Sequence, residues 1–464
     1  MLTAVKRALI FVHRWLGVAL CLFFLIWFPS AIGMMYWDFP TVTPQDRLAK
    51  SAALDAATIV LSPARAFATL HTDQKPSEIR LDTFDARPVY RFRIGRNERV
   101  VYADTGEVRG DASADTMRRV AASWTGQSIQ TPRVQSVDAI DQWTVQGPLR
   151  NLRPLWKFSW PDGQQVYVAQ PTGEVVQYTT TASRIGAYLG PIPHWLYFTP
   201  LRQRQLAWTR VVVWSSGIAT VAAAIGLVIA LWVSLPLKRI PYRGQKRWHT
   251  IFGLIFGVSV MTWAFSGMLS MEPFPTERSP APPPFRLRSA PAVDAFATRD
   301  PRDAIRALAP RRVKELELTS MMGEPTVVAT LDGGVIETIP SLDSTRLNSA
   351  VTVAGATATT IDDYDAYYRD RRRERPLPVI LAQLHDVDAT RYYIDPRTAA
   401  VVASYSSRGW MNRWLYHGLH SLDFPWLYNR RPLWDVVVIA FMLGGTALSV
   451  TSVILAWRVV TPRL

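Results

Sequence analysis

Four stretches of the chain, about 11–37, 211–235, 250–271 and 435–457, are apolar almost throughout, and no other feature restricts the architecture so strongly. A helix needs about 20 such residues to cross a hydrocarbon core roughly 30 Å thick. The sequence therefore predicts a membrane protein with four transmembrane α-helices and the lipid bilayer as a partner. Between the runs lie long polar segments, which explains a composition of 48% hydrophobic and 19% charged residues: apolar for a soluble protein, too polar for a bundle of spans alone.

The short loop 236–248, "PLKRIPYRGQKRW", carries five Lys/Arg. Short loops follow the positive-inside rule, so this one is expected on the cytoplasmic side. Lys6, Arg7 and Arg14 place the N-terminus there, and Arg458 and Arg463 the C-terminus. The chain then divides into a cytoplasmic N-terminus with span one (1–37), an outer domain (38–208), span two (209–235) and the basic loop (236–248). Span three (249–271), a Pro-rich linker with a second outer domain (272–433), and span four with the C-terminus (434–464) follow. Residues 9–37 share the outline of a secretory signal, but the run is too long and Pro29-Ser30-Ala31 is a poor cleavage site, so a retained signal anchor is expected. The net charge of +15 comes with no nucleic-acid-binding motif and is spread widely, so no nucleic-acid partner is expected. A single cysteine, Cys21, excludes intramolecular disulfides, covalent CxxCH haem and thiolate clusters.

The outer stretches read as α+β. "SPARAFATLH" has helical spacing behind a Ser-Pro start, and "PVYRFRIG", "RVVYADTGEV", "QQVYVAQPTGEVVQY" and "TRYYIDPRTAAVVASY" read as strands and turns. "DPRDAIRALAP" followed by "TVVATLDGGVIETI" repeats the helix-and-hairpin idea, giving two such units in each outer domain.

An internal repeat selects particular residues. A shift of 236 lays span one on span three without a gap, matching His13 with His249, Gly17 with Gly253, Trp27 with Trp263 and Ser30 with Ser266. A shift of 226 lays 166–213 on 392–439 and matches His194 with His420, Phe198 with Phe424, Arg204 with Arg430 and Trp208 with Trp434. The sequence thus reads as two duplicated halves, each a span, an outer domain and a span. Four of the seven histidines fall on matched positions; His71, His385 and His417 do not. By topology His13 and His249 form a cytoplasmic-side pair, and His194 and His420 an outer pair.

Ionisable side chains at membrane depth are costly and mark function by default. Two imidazoles from facing helices can hold a haem iron from both sides. Gly17 and Gly253, one turn after their histidines, would let a flat macrocycle lie against the helix. Arg14, Lys246 and Arg247 could meet its propionates. A lone interfacial histidine is usually a snorkelling polar group; matched pairing outweighs that reading for His13 and His249. It does so less for His194 and His420, where His417 shares a helix face with His420 as a rival ligand. Trp27 and Trp263 could line a second haem or form an interfacial belt. "RDRRRERP" (369–376) could attract an anion, with a solvated loop as its default reading. Zinc or di-iron sites would need carboxylates, which the span interiors lack, and no GxGxxG, P-loop, HExxH or GxSxG context occurs.

"HRWLGVALCLF", "RWHTIFGLIFG", "VVYADTGEV" and "QQVYVAQPTGEVVQY" together resemble the PepSY-associated transmembrane family of bacterial inner-membrane proteins. That resemblance covers nearly the whole chain and implies PepSY-like α+β modules outside a multi-pass inner-membrane bundle. It implies two b-type haems with axial ligands at His13, His249, His194 and His420, and ferric-siderophore reduction as the activity. The donor, cytoplasmic or quinol, and any catalytic residue beyond the haem ligands are not assigned by it. Members often carry a Gly-Arg pair ahead of spans two and four, where this chain reads "LAWTR" and "PLWDV". The alternative expectation is a non-enzymatic protein whose PepSY-like modules bind or inhibit a peptidase.

Overall fold

The computed structural model describes residues 2–235, 240–274 and 280–461. Lys238, Arg239, Arg463 and part of the Pro-rich linker lie outside them. Four helices, α1 (Leu2–Tyr36), α2 (Gln205–Ser234), α3 (Gly244–Leu269) and α4 (Leu433–Val460), are long and apolar enough to cross a membrane. They begin before the apolar runs do, because a helix continues through its polar interfacial turns for as long as its backbone hydrogen bonds propagate. Large apolar side chains such as Leu22, Trp214, Val221, Val258 and Leu443 point outward and exposed, as on a lipid-facing surface.

The helices pack round a square, α1 on α2, α2 on α3, α3 on α4 and α4 on α1, leaving α1 and α3 diagonally opposed. Close approach depends on small residues, as expected where lipid supplies no hydrophobic drive between helices. A Cβ on Gly445 of α4 would lie 2.6 Å from the Phe28 ring of α1, so that ring occupies the space the missing side chain leaves.

Outside the bundle lie three antiparallel sheets. Strands β1 (Glu78–Phe84), β2 (Arg87–Ile94) and β3 (Asn97–Tyr102) follow the helix Pro63–Ala68; β4 (Arg133–Val137), β5 (Leu155–Ser159), β6 (Gln165–Ala169) and β7 (Val175–Thr179) follow the helix Ala114–Thr125. In the later stretch β8 (Arg288–Ser289) precedes the helix Pro301–Leu308 and β9 (Val313–Met321), β10 (Glu324–Leu331) and β11 (Ile336–Ile339); the helix Ser344–Val353 leads into β12 (Ala356–Ile361), β13 (Val379–Leu384), β14 (Arg391–Asp395) and β15 (Ala400–Tyr405). Each stretch therefore holds two helix-and-strand units. The sequence puts the two stretches in separate domains, yet their first units share one sheet, β11-β10-β9-β1-β2-β3, with β8 on β9. The seam pairs Ile79 with Leu318 and Leu81 with Leu316, and the four side chains are fully buried under the two short helices.

Two connections return from the sheets to the bundle. One is the short helix Pro191–His194, whose Ile192 is fully buried in the core beneath β4–β7 with Phe39, Trp143 and Leu155. Its approach to α1 is a backbone contact: a Cβ on Gly190 would lie 2.8 Å from the Gly33 carbonyl carbon. The other is a π-helical turn, Met411–Gly418, which runs into the short helix Leu419–Ser421. Single π turns are rare and concentrate at functional sites.

Candidate functional site

All four repeated histidines converge, two by two. The His13 and His249 ring centroids lie 6.2 Å apart across the square, and those of His194 and His420 lie 6.0 Å apart at the outer end. A carbonyl can only accept a hydrogen bond, so a histidine bound to one through Nδ1 carries its proton there. His13 Nδ1 donates in this way to the Ala222 carbonyl at 3.0 Å and His194 Nδ1 to the Trp27 carbonyl at 3.2 Å. His249 Nδ1 lies 3.2 Å from Thr451 Oγ1 and 3.4 Å from Ser452 Oγ. Both hydroxyls already give their protons to the Leu448 carbonyl, so they accept from the imidazole. His420 Nδ1 lies 3.1 Å from Ser266 Oγ, which donates to the Trp263 carbonyl. Each ring is thus held as the Nδ1–H tautomer with a free lone pair on Nε2, the form that ligates a metal, and each is oriented by its own half.

The spacing can be tested against a shared metal. With metal–imidazole bonds of about 2 Å, two rings on opposite sides of one ion have centroids about 6.3 Å apart. Both pairs match. The interplanar angles, 47° inside and 60° outside, do not count against this, since each ring can rotate about its metal–nitrogen axis. Among the described residues no group of three or more His, Cys, Asp or Glu side chains gathers as a metal site.

The surroundings of the two pairs differ. At the inner pair a Cβ added to Gly17 or Gly253 would meet nothing within 4 Å, so the helix face beside each histidine is open. Gly226 of α2 backs the His13 ring closely enough that any side chain there would overlap it. The outer pair lies in a cavity of about 750 Å³ walled by Trp27, Phe28, Trp263 and Trp434. Burial pulls the imidazole of His194 down to about 4, and burial followed by the neighbouring His194 pulls His420 down to about 3, so both rings are neutral at physiological pH. Ser30 and Ser266, 3% and 0% exposed, would be costly unsatisfied polar groups without these histidines and their own carbonyl acceptors.

Small details recur around the outer pair. Leu196 and Leu422, each two residues past its histidine, take the left-handed conformation with φ 52° and 49°. A branched side chain pays for that conformation, and such residues cluster at functional sites. Trp208 Nε1 donates to the Trp195 carbonyl at 2.8 Å and Trp434 Nε1 to the Ser421 carbonyl at 2.9 Å, tying each histidine turn to the helix that follows.

The other expected residues take varied places. Arg14 is exposed and lies over Phe11 and Trp15 of its own helix at 5.8 and 5.9 Å; Lys246 and Arg247 are exposed. His420 is the ring facing His194, while His417 lines the same cavity beside Tyr416. His385 bonds Thr357 in an outer sheet. Trp27 and Trp263 line the cavity, and Trp263 is 6% exposed. The basic run is more than a solvated loop, since Arg369, Arg371 and Arg375 line the cavity. Sequence reasoning also passed over Gly226, Gly190 and the two left-handed leucines; Leu196 and Leu422 do match in the 226-residue shift, which was the available signal.

No protein-family model matches the chain, and no curated protein matches it in sequence.

Proposed function

We propose that the chain is a di-haem b electron-transfer protein of a bacterial inner membrane, built from two duplicated halves. It would carry electrons from a cytoplasmic or quinol donor to an acceptor outside, with ferric siderophores as the leading acceptor. One observation carries this reading: two histidine pairs at opposite ends of a four-helix bundle, both at the ring spacing of two ligands sharing one ion.

Haem, when bound, supplies a one-electron iron couple at each end. The protein's own residues do the rest. His13 and His249 would hold the inner group, and His194 and His420 the outer one, each offering Nε2. Hydrogen bonds from Nδ1 to carbonyls and hydroxyls fix the tautomer and raise ligand basicity. Fourteen residues separate His13 from Trp27, whose carbonyl holds His194, which is about 21 Å of helix. Aromatic side chains, Trp27, Phe28, Trp263 and Trp434, form the walls around the outer pair. Resemblance to the PepSY-associated family supports the choice of haem and of ferric siderophore; reduction to Fe(II) weakens binding by hard oxygen ligands and so releases iron. The positive-inside pattern supports an orientation with both termini cytoplasmic.

Visible spectroscopy of detergent-purified protein tests the reading. The expected result is a Soret band that shifts on reduction with dithionite, with about two haems per chain by pyridine haemochrome. Colourless protein from haem-replete cells would sink it and favour a non-enzymatic, peptidase-binding role.

A further inference from the structure

The loop between β12 and β13 is the charged run that local reasoning discounts, and its arrangement is specific. Tyr368 anchors it, fully buried and stacked on Tyr393 at 4.8 Å. Asp370 folds the following turn by accepting from the backbone N–H groups of Arg372, Glu374 and Arg375 at 2.6–3.1 Å. Arg371 donates to the Met34 and Met35 carbonyls at the end of α1, and Arg372 pairs with Asp38. The loop is therefore fastened over the outer end of the bundle, and three of its guanidiniums, Arg369, Arg371 and Arg375, line the cavity.

Charge accounting at this mouth leaves donors over. The two cavity-lining carboxylates are already engaged, Asp370 by the three backbone N–H groups and Asp423 by Arg369. Arg371 meets carbonyls and no carboxylate. Arg375 is exposed, and among the described residues its guanidinium has no hydrogen-bond or carboxylate partner and lies over the Tyr368 ring at 5.8 Å; the buried donors are the two that follow. Arg369 Nε is shielded from solvent without a partner. Deeper in the same cavity the indole N–H of Trp263, a residue more than nine-tenths buried, also lacks an acceptor. Buried donors without acceptors are rare and call for one. Planar guanidinium forks match the paired oxygens of a carboxylate or a phosphate.

The structure assigns carboxylate recognition to Arg371 and Arg375 at the mouth of the outer cavity, with Arg369 and the Trp263 indole as inner donors. The assignment rests on reading the outer pair as a ligand-holding site. Two sources carry this chemistry: a soluble anionic metal chelate, or the carboxylates of a macrocycle seated between His194 and His420.

Gallium citrate, redox-inactive and anionic, separates the possibilities. Its binding is read by tryptophan fluorescence on haem-loaded and haem-free full-length protein at low salt, alongside haem content. If the loop serves a soluble chelate, the haem-loaded protein binds the probe and Arg375→Gln weakens binding about tenfold or more. If it serves the macrocycle, only haem-free protein binds the probe and Arg375→Gln lowers haem content. Arg371→Gln should add to either effect; because Arg371 also fastens the loop, Arg375→Gln is the deciding variant. Colourless protein that binds gallium citrate and loses it with Arg375→Gln keeps this assignment while ending the haem proposal. Absence of probe binding in both forms, with haem content unchanged in Arg375→Gln, overturns it.

Discussion

The inner and outer histidine pairs have nearly the same ring spacing, 6.2 and 6.0 Å, and the same hydrogen bonding through Nδ1, but their surroundings differ. Inside, the rings sit between long helices with open glycine faces at Gly17 and Gly253. Outside, they come from short turns, lie among tryptophans and are roofed by a basic loop. The same ring spacing is thus reached in two different surroundings. A redox protein can exploit that difference, because burial and local charge rather than the ligands alone tune a metal's potential.

The sharpest way to break the comparison is to delete ligands. His13→Ala or His249→Ala should remove about one of two haems and leave the outer pair; His194→Ala or His420→Ala should do the reverse. Unchanged haem content in all four variants would show that the pairs have no common task. Next come two glycines of close approach, Gly226 against the His13 ring and Gly190 against the α1 backbone. Gly226→Val should displace the His13 ring and empty the inner site selectively, whereas Gly190→Val should push the short helix from α1 and affect only the outer one, as read by the two components of a redox titration. If both variants lose the same component, the pairs are not independent.

A smaller effect is expected from the tautomer-fixing hydroxyls. Ser266→Ala removes the side-chain partner of His420 and should weaken outer haem binding about tenfold, the lower end of what outer-shell losses cost. Ser30→Ala should have a similar effect on the other ring, because each histidine keeps a backbone carbonyl, Trp27 for His194 and Trp263 for His420; competition for haem by apomyoglobin would compare the two. Smallest of all is Gly17→Ala. Its new methyl meets nothing within 4 Å, so haem-free stability should stay within about 0.5 kcal/mol in thermal melts. A loss of inner haem in that variant would place the macrocycle against α1.

Much of this was legible in the sequence because membrane crossing is a local property: twenty apolar residues announce themselves. The two sequence shifts singled out the four histidines that the structure brings together in pairs. What could not be read depends on contacts made far along the chain. Nothing local in "EIRLDTF" says that it pairs with "VKELELTSM". The arginines of 369–375 look like any solvated run until Tyr368 and Arg371 fasten them over the cavity. Trp263 resembles a belt residue until Phe28 and Phe441 close round it. Gly226 is one more small residue in an apolar helix until the His13 ring rests on it.

The seam between β1 and β9 also sets a timetable for biogenesis. Leu81 and Leu316 are about 235 residues apart, and at roughly 5–20 residues per second the earlier strand waits some 10–50 s for its partner. During that interval β1 presents a bare edge of unpaired amides outside the membrane, the kind of edge that recruits wrong partners. A chaperone that covers strand edges would therefore matter most for this protein before residues 313–321 have been made.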